Sequence, residues 1–261
     1  MAAISNIHHN RGFGAPFASL SRHAQARNLS AVVLNRAPFP EPFNRMDIEA
    51  ARQQMVDQQV RAWDVLDPRV LGTMARVPRE RFVPPSYREL AFVDAPIPLA
   101  DGQSILAPKL DGRILQACDV GPADSVVEVG TGSGFLAACL ATLGAHVETL
   151  EIRPELADFA AQNLRATGFP GVTVRTVDAT RWAPAAPVDV VVLTASLPLY
   201  DARYQAWLKP GGRLFVAIGS SAPMSAQLVT RVGANEFARS DLFETMIDPM
   251  VNARRASVFV F

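Results

Sequence analysis

Cysteine and lysine are both scarce in this chain of 261 residues, which holds two of each. Cys118 and Cys139 fall in segments that read as apolar helix, which leaves no disulfide framework and no cysteine metal cluster, and the default is a reducing, cytoplasmic setting. Net charge is lacking as well. Its 25 basic residues balance 25 acidic ones, so no global excess drives non-specific binding to nucleic acid or to a membrane surface. Basic residues are dispersed and form no stripe with aromatics, which removes the usual nucleic-acid signature. No apolar run approaches the roughly 20 residues of a membrane span. Histidine is almost absent beyond residue 45, where only His146 remains, and no Ser-His-Asp or Cys-His set is visible.

What is present is an ordinary globular composition, 49% hydrophobic and 19% charged, enough for one large domain with a real core. The charge is uneven along the chain. Residues 1–45 carry five arginines against Glu41 alone, which leaves the remainder acidic. This stretch has no signal-peptide core and no helical period, and it reads as a disordered extension or as residues ahead of a true start at Met46. An organellar leader is the less favoured reading. Arginine outnumbers lysine by 23 to two, a bias that points to a GC-rich, bacterial coding sequence.

From Asp47 to Trp63 the apolar positions Ile48, Ala51, Met55, Val56, Val60 and Trp63 keep helical spacing. Asp67-Pro68 then supplies an N-cap and a first-turn proline for a second helix. Residues 78–98 hold five prolines and read as a shaped loop. A helical stretch from residue 112 leads to Gly121-Pro122, after which strands and helices alternate: Ser125–Val129, Phe135–Leu143, His146–Leu150, Pro154–Ala166, Val172–Val177, Val188–Leu193 and Arg213–Ile218. The alternation predicts an α/β fold built on a mostly parallel sheet. Ala226–Val232 and Ala256–Phe261 are expected to form a closing strand pair. The domain reading is therefore a single unit over 46–261, with substrate-side helices and loop over 46–120 and a cofactor-binding core over 121–261.

The chemistry starts at Glu128-Val-Gly130-Thr131-Gly132-Ser133-Gly134, between a predicted strand and a predicted helix. Glycines there let the backbone turn sharply, and a helix N-terminus offers free amides to polar ligand groups. A dinucleotide fingerprint needs a glycine at position 135, which is Phe135, so nicotinamide and flavin are disfavoured. Glu151 ends the next strand, 21 residues after Gly130, where a carboxylate can accept from both ribose hydroxyls of a nucleoside. Asp178-Ala179 places a further carboxylate after the third strand, where it can accept from an adenine amine. Three such features at three successive strand ends point to a bound adenosine compound. Trp182 follows the last of them and is a candidate to cover the adenine, whereas Arg153, Asn163 and Arg165 read as a solvated helix face.

Residues 46–261 resemble the protein-L-isoaspartate O-methyltransferase family of S-adenosylmethionine-dependent methyltransferases. The resemblance rests on Met55–Arg61, Val77-Pro-Arg79 with Phe82-Val-Pro84, Asp94-Ala-Pro-Ile-Pro98, Gly102-Gln-Ser-Ile105 with Ala107-Pro108, Glu128–Gly134 and Leu208–Leu214. It implies a Rossmann-like, doubly wound, seven-stranded sheet with an antiparallel last strand, preceded by the helical substrate-side region. It also implies that S-adenosyl-L-methionine is held by Glu128, Gly130, Thr131, Gly132, Ser133, Gly134, Glu151, Ile152, Asp178 and Ala179. The implied reaction methylates the free carboxylate of isoaspartyl residues in damaged proteins or peptides, as a repair step. No metal, nucleic acid or membrane is implied, and the oligomeric state is left open.

An ionised carboxylate, with an ordinary pKa of about 3.9, attacks a sulfonium methyl without a general base, so alignment alone can carry the catalysis. One departure stands out. Where the family has an active-site serine this chain has Leu106, which neither donates nor accepts a hydrogen bond. Ser104 keeps a hydroxyl nearby, and Lys109 follows the proline where it can pair with a substrate carboxylate, so these two are the candidate acceptor-side residues. Two alternatives stay open: a methyltransferase of this fold with another acceptor, and a non-catalytic protein that only binds an adenosyl ligand.

Overall fold

The structure, a computed structural model, describes residues 45–255. The readings made for residues 1–44 and for Ala256–Phe261 lie outside that range.

Helix α1, Arg45–Met55, runs on through a widened turn at Val56–Val60 and a tight one at Arg61–Trp63, so the helix expected up to Trp63 is a single continuous element. Asp64, with φ 58°, ends it in the left-handed region. In α2, Pro68–Arg76, the Asp67 side chain accepts from the Arg69 amide at 2.8 Å and Pro68 opens the first turn, as the sequence predicts. Two short 3₁₀ turns, Arg79–Arg81 and Pro85–Leu90, shape the proline-rich stretch. It ends in β1, Ile97–Pro98, paired antiparallel with β2, Ser104–Ile105. Helix α3, Pro108–Cys118, starts four residues before the expected helical stretch, because Pro108 fits the first turn where its missing N–H costs nothing.

The main sheet uses β3 (Ser125–Val129), β4 (His146–Glu151), β5 (Thr173–Thr176), β6 (Val188–Leu193), β7 (Leu208–Ile218), β8 (Met224–Arg231) and β9 (Phe237–Thr245). Their spatial order is β5-β4-β3-β6-β7-β8-β9, parallel as far as β7 and antiparallel at β7–β8 and β8–β9. Helices α4 (Phe135–Thr142), α5 (Pro154–Ala166) and α6 (Ala202–Gln205) supply the crossovers. The strand expected at Ala226–Val232 is β8, which pairs with β7 on one side and with β9 on the other. Polar residues at most outward positions of β9, the marks of a sheet edge, hide it from an apolar-run reading.

Both faces of the central strands are buried, which is why β6 is an unbroken run of apolar residues after Asp189. Val190 and Val192 face a core shared with α1 to α4, and Val191 and Leu193 face one shared with Tyr204 and Trp207. Trp182 packs edge-to-face on Trp207, with ring centroids 5.5 Å apart, so it belongs to this second core. Cys118 and Cys139 are buried and free, and burial pushes the Cys118 thiol up to about 12. His146 is exposed at the start of β4. Among the described residues no helix is long and apolar enough to cross a membrane.

Candidate active site

The loop Gly130–Gly134 leaves the C-terminal end of β3 at the centre of the parallel strands and enters α4. Gly130 has φ 100°, and a Cβ there would lie 2.3 Å from the Thr194 hydroxyl, so only glycine fits. That hydroxyl donates to the carbonyls of Val129 and Gly130, locking the loop to the end of β6. Gly134, with φ 87°, lets α4 approach Leu164 of α5. Asn163 donates to the Ser133 carbonyl at 3.0 Å, so this residue, expected on a solvated face, holds the loop from behind. The contact spans 30 positions, a separation over which residue spacing carries no geometry.

Glu151 and Asp178 flank the loop from the next two strands. Glu151 is buried, and its two carboxylate oxygens accept from the amides of Gly132 and Arg153, each at 3.1 Å. Asp178 takes the amide and hydroxyl of Thr180 on one oxygen and the Asn252 side chain, at 3.0 Å, on the other. Burial opposes its ionisation, but these hydrogen bonds outweigh burial and hold the carboxyl below its ordinary value. A solvent-open cleft of about 440 Å³ lies between them, bordered by Gly130, Glu151, Ile152, Asp178, Ala179 and Met250.

A second cleft of about 330 Å³ adjoins the first at Gly130 and is lined by Ser104, Leu106, Asp111, Glu128, Ser133 and Thr194 among others. Glu128 is 1% exposed. Its Oε2 accepts from Thr149, which also bonds Thr131, and its Oε1 has no hydrogen-bond partner. Burial pushes the Glu128 carboxyl up to about 8, against the pull of the Thr149 hydroxyl. Arg79 and Asp111, neither singled out from the sequence as site residues, form an ion pair at 2.8 Å inside the protein. Arg79 also donates to the carbonyls of Ala91 and Leu106 and lies over the Phe135 ring.

Ser104 donates to the Asp248 carboxylate at 2.5 Å, a partner 144 positions away that sequence spacing does not reveal. Leu106 is among the residues that line the second cleft and is partly buried against the core, so an apolar residue stands where the family has a hydroxyl. Lys109 borders neither cleft: its ammonium pairs with Asp94 at 2.8 Å and sits 4.3 Å from the centre of the Trp63 ring. Arg153, also expected to be solvated, borders the first cleft and pairs with Asp101 at 3.3 Å. Among the described residues no group of three metal-ligating side chains occurs.

S-adenosyl-L-methionine needs acceptors for a ribose diol, an adenine amine and an α-ammonium. Glu151 and Asp178 border one cleft, and Glu128, one of whose buried oxygens has no hydrogen-bond partner, borders the other, so the donor set of the ligand and the acceptor set of the protein fit. The fold and this site define a Rossmann-like, S-adenosylmethionine-dependent methyltransferase. The family model for protein-L-isoaspartate(D-aspartate) O-methyltransferase matches residues 50–255, and the chain belongs to that family.

Relatives agree with the match. The chain is 40% identical over 202 residues to a protein-L-isoaspartate O-methyltransferase of Rhodopseudomonas palustris, covering 76% of this chain and 92% of that one. It is 37% identical over 201 residues to one from Koribacter versatilis, covering 77% and 90%. The fold is also that of a Plasmodium falciparum chain assigned as a protein-L-isoaspartate O-methyltransferase and solved with S-adenosyl-L-homocysteine. That superposition has a TM-score of 0.68 at 18% identity and covers 76% of this chain and 97% of the other.

Proposed function

We propose that the protein transfers the methyl group of S-adenosyl-L-methionine to the free carboxylate of L-isoaspartyl residues in damaged proteins, as a cytoplasmic repair step. The observation that carries this reading is the extent of the family match, residues 50–255, which takes in the acceptor-side elements as well as the glycine loop. In this reading residues 46–120 serve the acceptor and residues 121–261 the cofactor.

When bound, S-adenosyl-L-methionine supplies a methyl on a sulfonium sulfur, whose S–CH₃ bond breaks as the acceptor oxygen forms its O–CH₃ bond. Glu151 would accept from the ribose hydroxyls, Asp178 and Ala179 with Ile152 would hold the adenine, the backbone of Gly130, Thr131, Gly132, Ser133 and Gly134 would receive the remainder, and Glu128 would accept from the ammonium. An acceptor carboxylate arrives ionised at neutral pH, so the chain has no proton to remove and contributes alignment and exclusion of water. Ser104 shapes the acceptor side directly. Lys109, held by Asp94 and Trp63, acts there by fixing the proline-rich loop to α3.

The test is methyl transfer from labelled S-adenosyl-L-methionine to an isoaspartyl peptide and to its aspartyl twin, read as base-labile label. Turnover on the isoaspartyl peptide alone supports the reading. Cofactor binding without turnover on either peptide favours an acceptor of another kind, the alternative to which Leu106 in the second cleft lends weight.

A further inference from the structure

Among the described residues, the acceptor side of the site carries an acid, Asp248, that has no salt-bridge partner. Asp248 follows β9 and is fixed by its backbone: its carbonyl accepts from the Ser196 amide at 2.8 Å, and Met250 returns a bond to the Ser196 carbonyl at 2.9 Å. The next residues, Pro249, Met250 and Val251, border the first cleft, while Ser104, which donates to Asp248, borders the second. Asp248 borders neither cleft itself and lies between a residue of each, bonded to Ser104 of the second and followed in the chain by Pro249 of the first.

The cations of the neighbourhood are already engaged. Arg79 is paired with Asp111, Lys109 with Asp94 and Arg153 with Asp101. Leu106 removes a hydrogen-bond donor from the same wall, and the one hydroxyl at Ser104 gives its proton to Asp248. Among the described residues, the Asp248 carboxylate has that hydroxyl as its hydrogen-bond partner and forms no salt bridge. A negatively charged acceptor chain meets a fixed negative charge here, and a positively charged one meets a complement.

Resting on the isoaspartyl reading above, we propose that Asp248 is a specificity-determining residue that filters acceptor chains by charge. It favours isoaspartyl residues with a cationic side chain close by and turns away those with acidic neighbours. The filter acts on encounter and docking, so it is expressed in KM rather than kcat, and it weakens as salt screens the charges.

The experiment uses the full chain, labelled S-adenosyl-L-methionine and three isoaspartyl peptides of one backbone, flanked by two lysines, two glutamines or two glutamates. For the wild type, kcat/KM falls from the lysine to the glutamate peptide by on the order of tenfold, through KM, and the spread narrows in about 0.5 M salt. In Asp248→Asn, which keeps the acceptor oxygen for Ser104, the spread collapses to within about twofold, and the glutamate peptide gains the most. Ser104→Ala, which keeps the charge, retains the wild-type spread. Turnover by Asp248→Asn alone also supports the filter. Equal use of the three peptides by the wild type, or a spread that persists in Asp248→Asn, overturns it and leaves isoaspartyl methylation standing. No turnover of any peptide by either protein, with circular dichroism confirming that both are folded, overturns the isoaspartyl reading and the filter with it.

Discussion

The Arg79 guanidinium meets the Asp111 carboxylate at 2.8 Å with both side chains sealed from solvent, and it also donates to the Leu106 carbonyl. One buried cation thus ties the acceptor-side loop to α3. Removing one member of such a pair leaves an uncompensated charge inside the protein. Arg79→Ala is expected to lower unfolding stability by about 3–5 kcal/mol, whereas the double change Arg79→Met with Asp111→Leu recovers most of the loss. Urea midpoints of the three proteins check this, and equal losses in the single and double variants contradict it.

Glu128 makes stability depend on pH in a defined direction. Its folded carboxyl is pushed by burial to about 8 from an ordinary 4.5, so the folded state holds a proton that the unfolded state releases. The contribution is fully present below about 4.5 and is lost as pH rises through 8. The wild type is therefore expected to be less stable at pH 9 than at pH 6, with a smaller difference in Glu128→Gln. Chemical denaturation at the two pH values measures it, and an unchanged difference removes Glu128 as the cause.

Glu151 ends β4 with its carboxylate buried against the glycine loop. Glu151→Ala is expected to weaken binding of S-adenosyl-L-homocysteine by about 10- to 100-fold, the equivalent of losing charged hydrogen bonds of about 1.5–3 kcal/mol. Isothermal titration reads the change directly. A variant that binds as tightly as the wild type takes Glu151 out of the nucleoside site.

Leu106 lines the acceptor cleft where the family has a serine. Leu106→Ser restores a donor to that wall and is expected to raise kcat/KM for an isoaspartyl peptide several-fold, an ordinary hydrogen bond being worth about 1 kcal/mol. Label transfer with the pure variant checks this. An unchanged rate means that this position does not decide the acceptor.

The parts of the fold that announce themselves in the sequence are those with strong local codes. Ser125–Val129, Pro154–Ala166 and Val188–Leu193 match their predicted bounds because buried parallel strands are unbroken apolar runs and α5 opens with proline. The glycine loop with Glu151 and Asp178 was legible for the same reason, since strand ends and glycine spacing fix where those groups emerge. Strand β9 was not, because its outward residues are polar. Strand β7 starts at Leu208, five residues before the strand expected at Arg213, and its pairing with β6 shifts between Val188 and Val190. Asn163, Arg79 and Asp248 gain their roles from partners 30, 32 and 144 positions away, a distance over which a residue pattern carries no geometry.

The five residues from Asp248 to Asn252 are moored at both ends, by Ser104 to the acceptor cleft and by Asp178 to the adenosine cleft. A nucleoside amine hydrogen-bonded to Asp178 would share that carboxylate with the Asn252 amide. Were its binding to change the affinity for the acceptor through this segment, the acceptor would change the affinity for the nucleoside by the same factor.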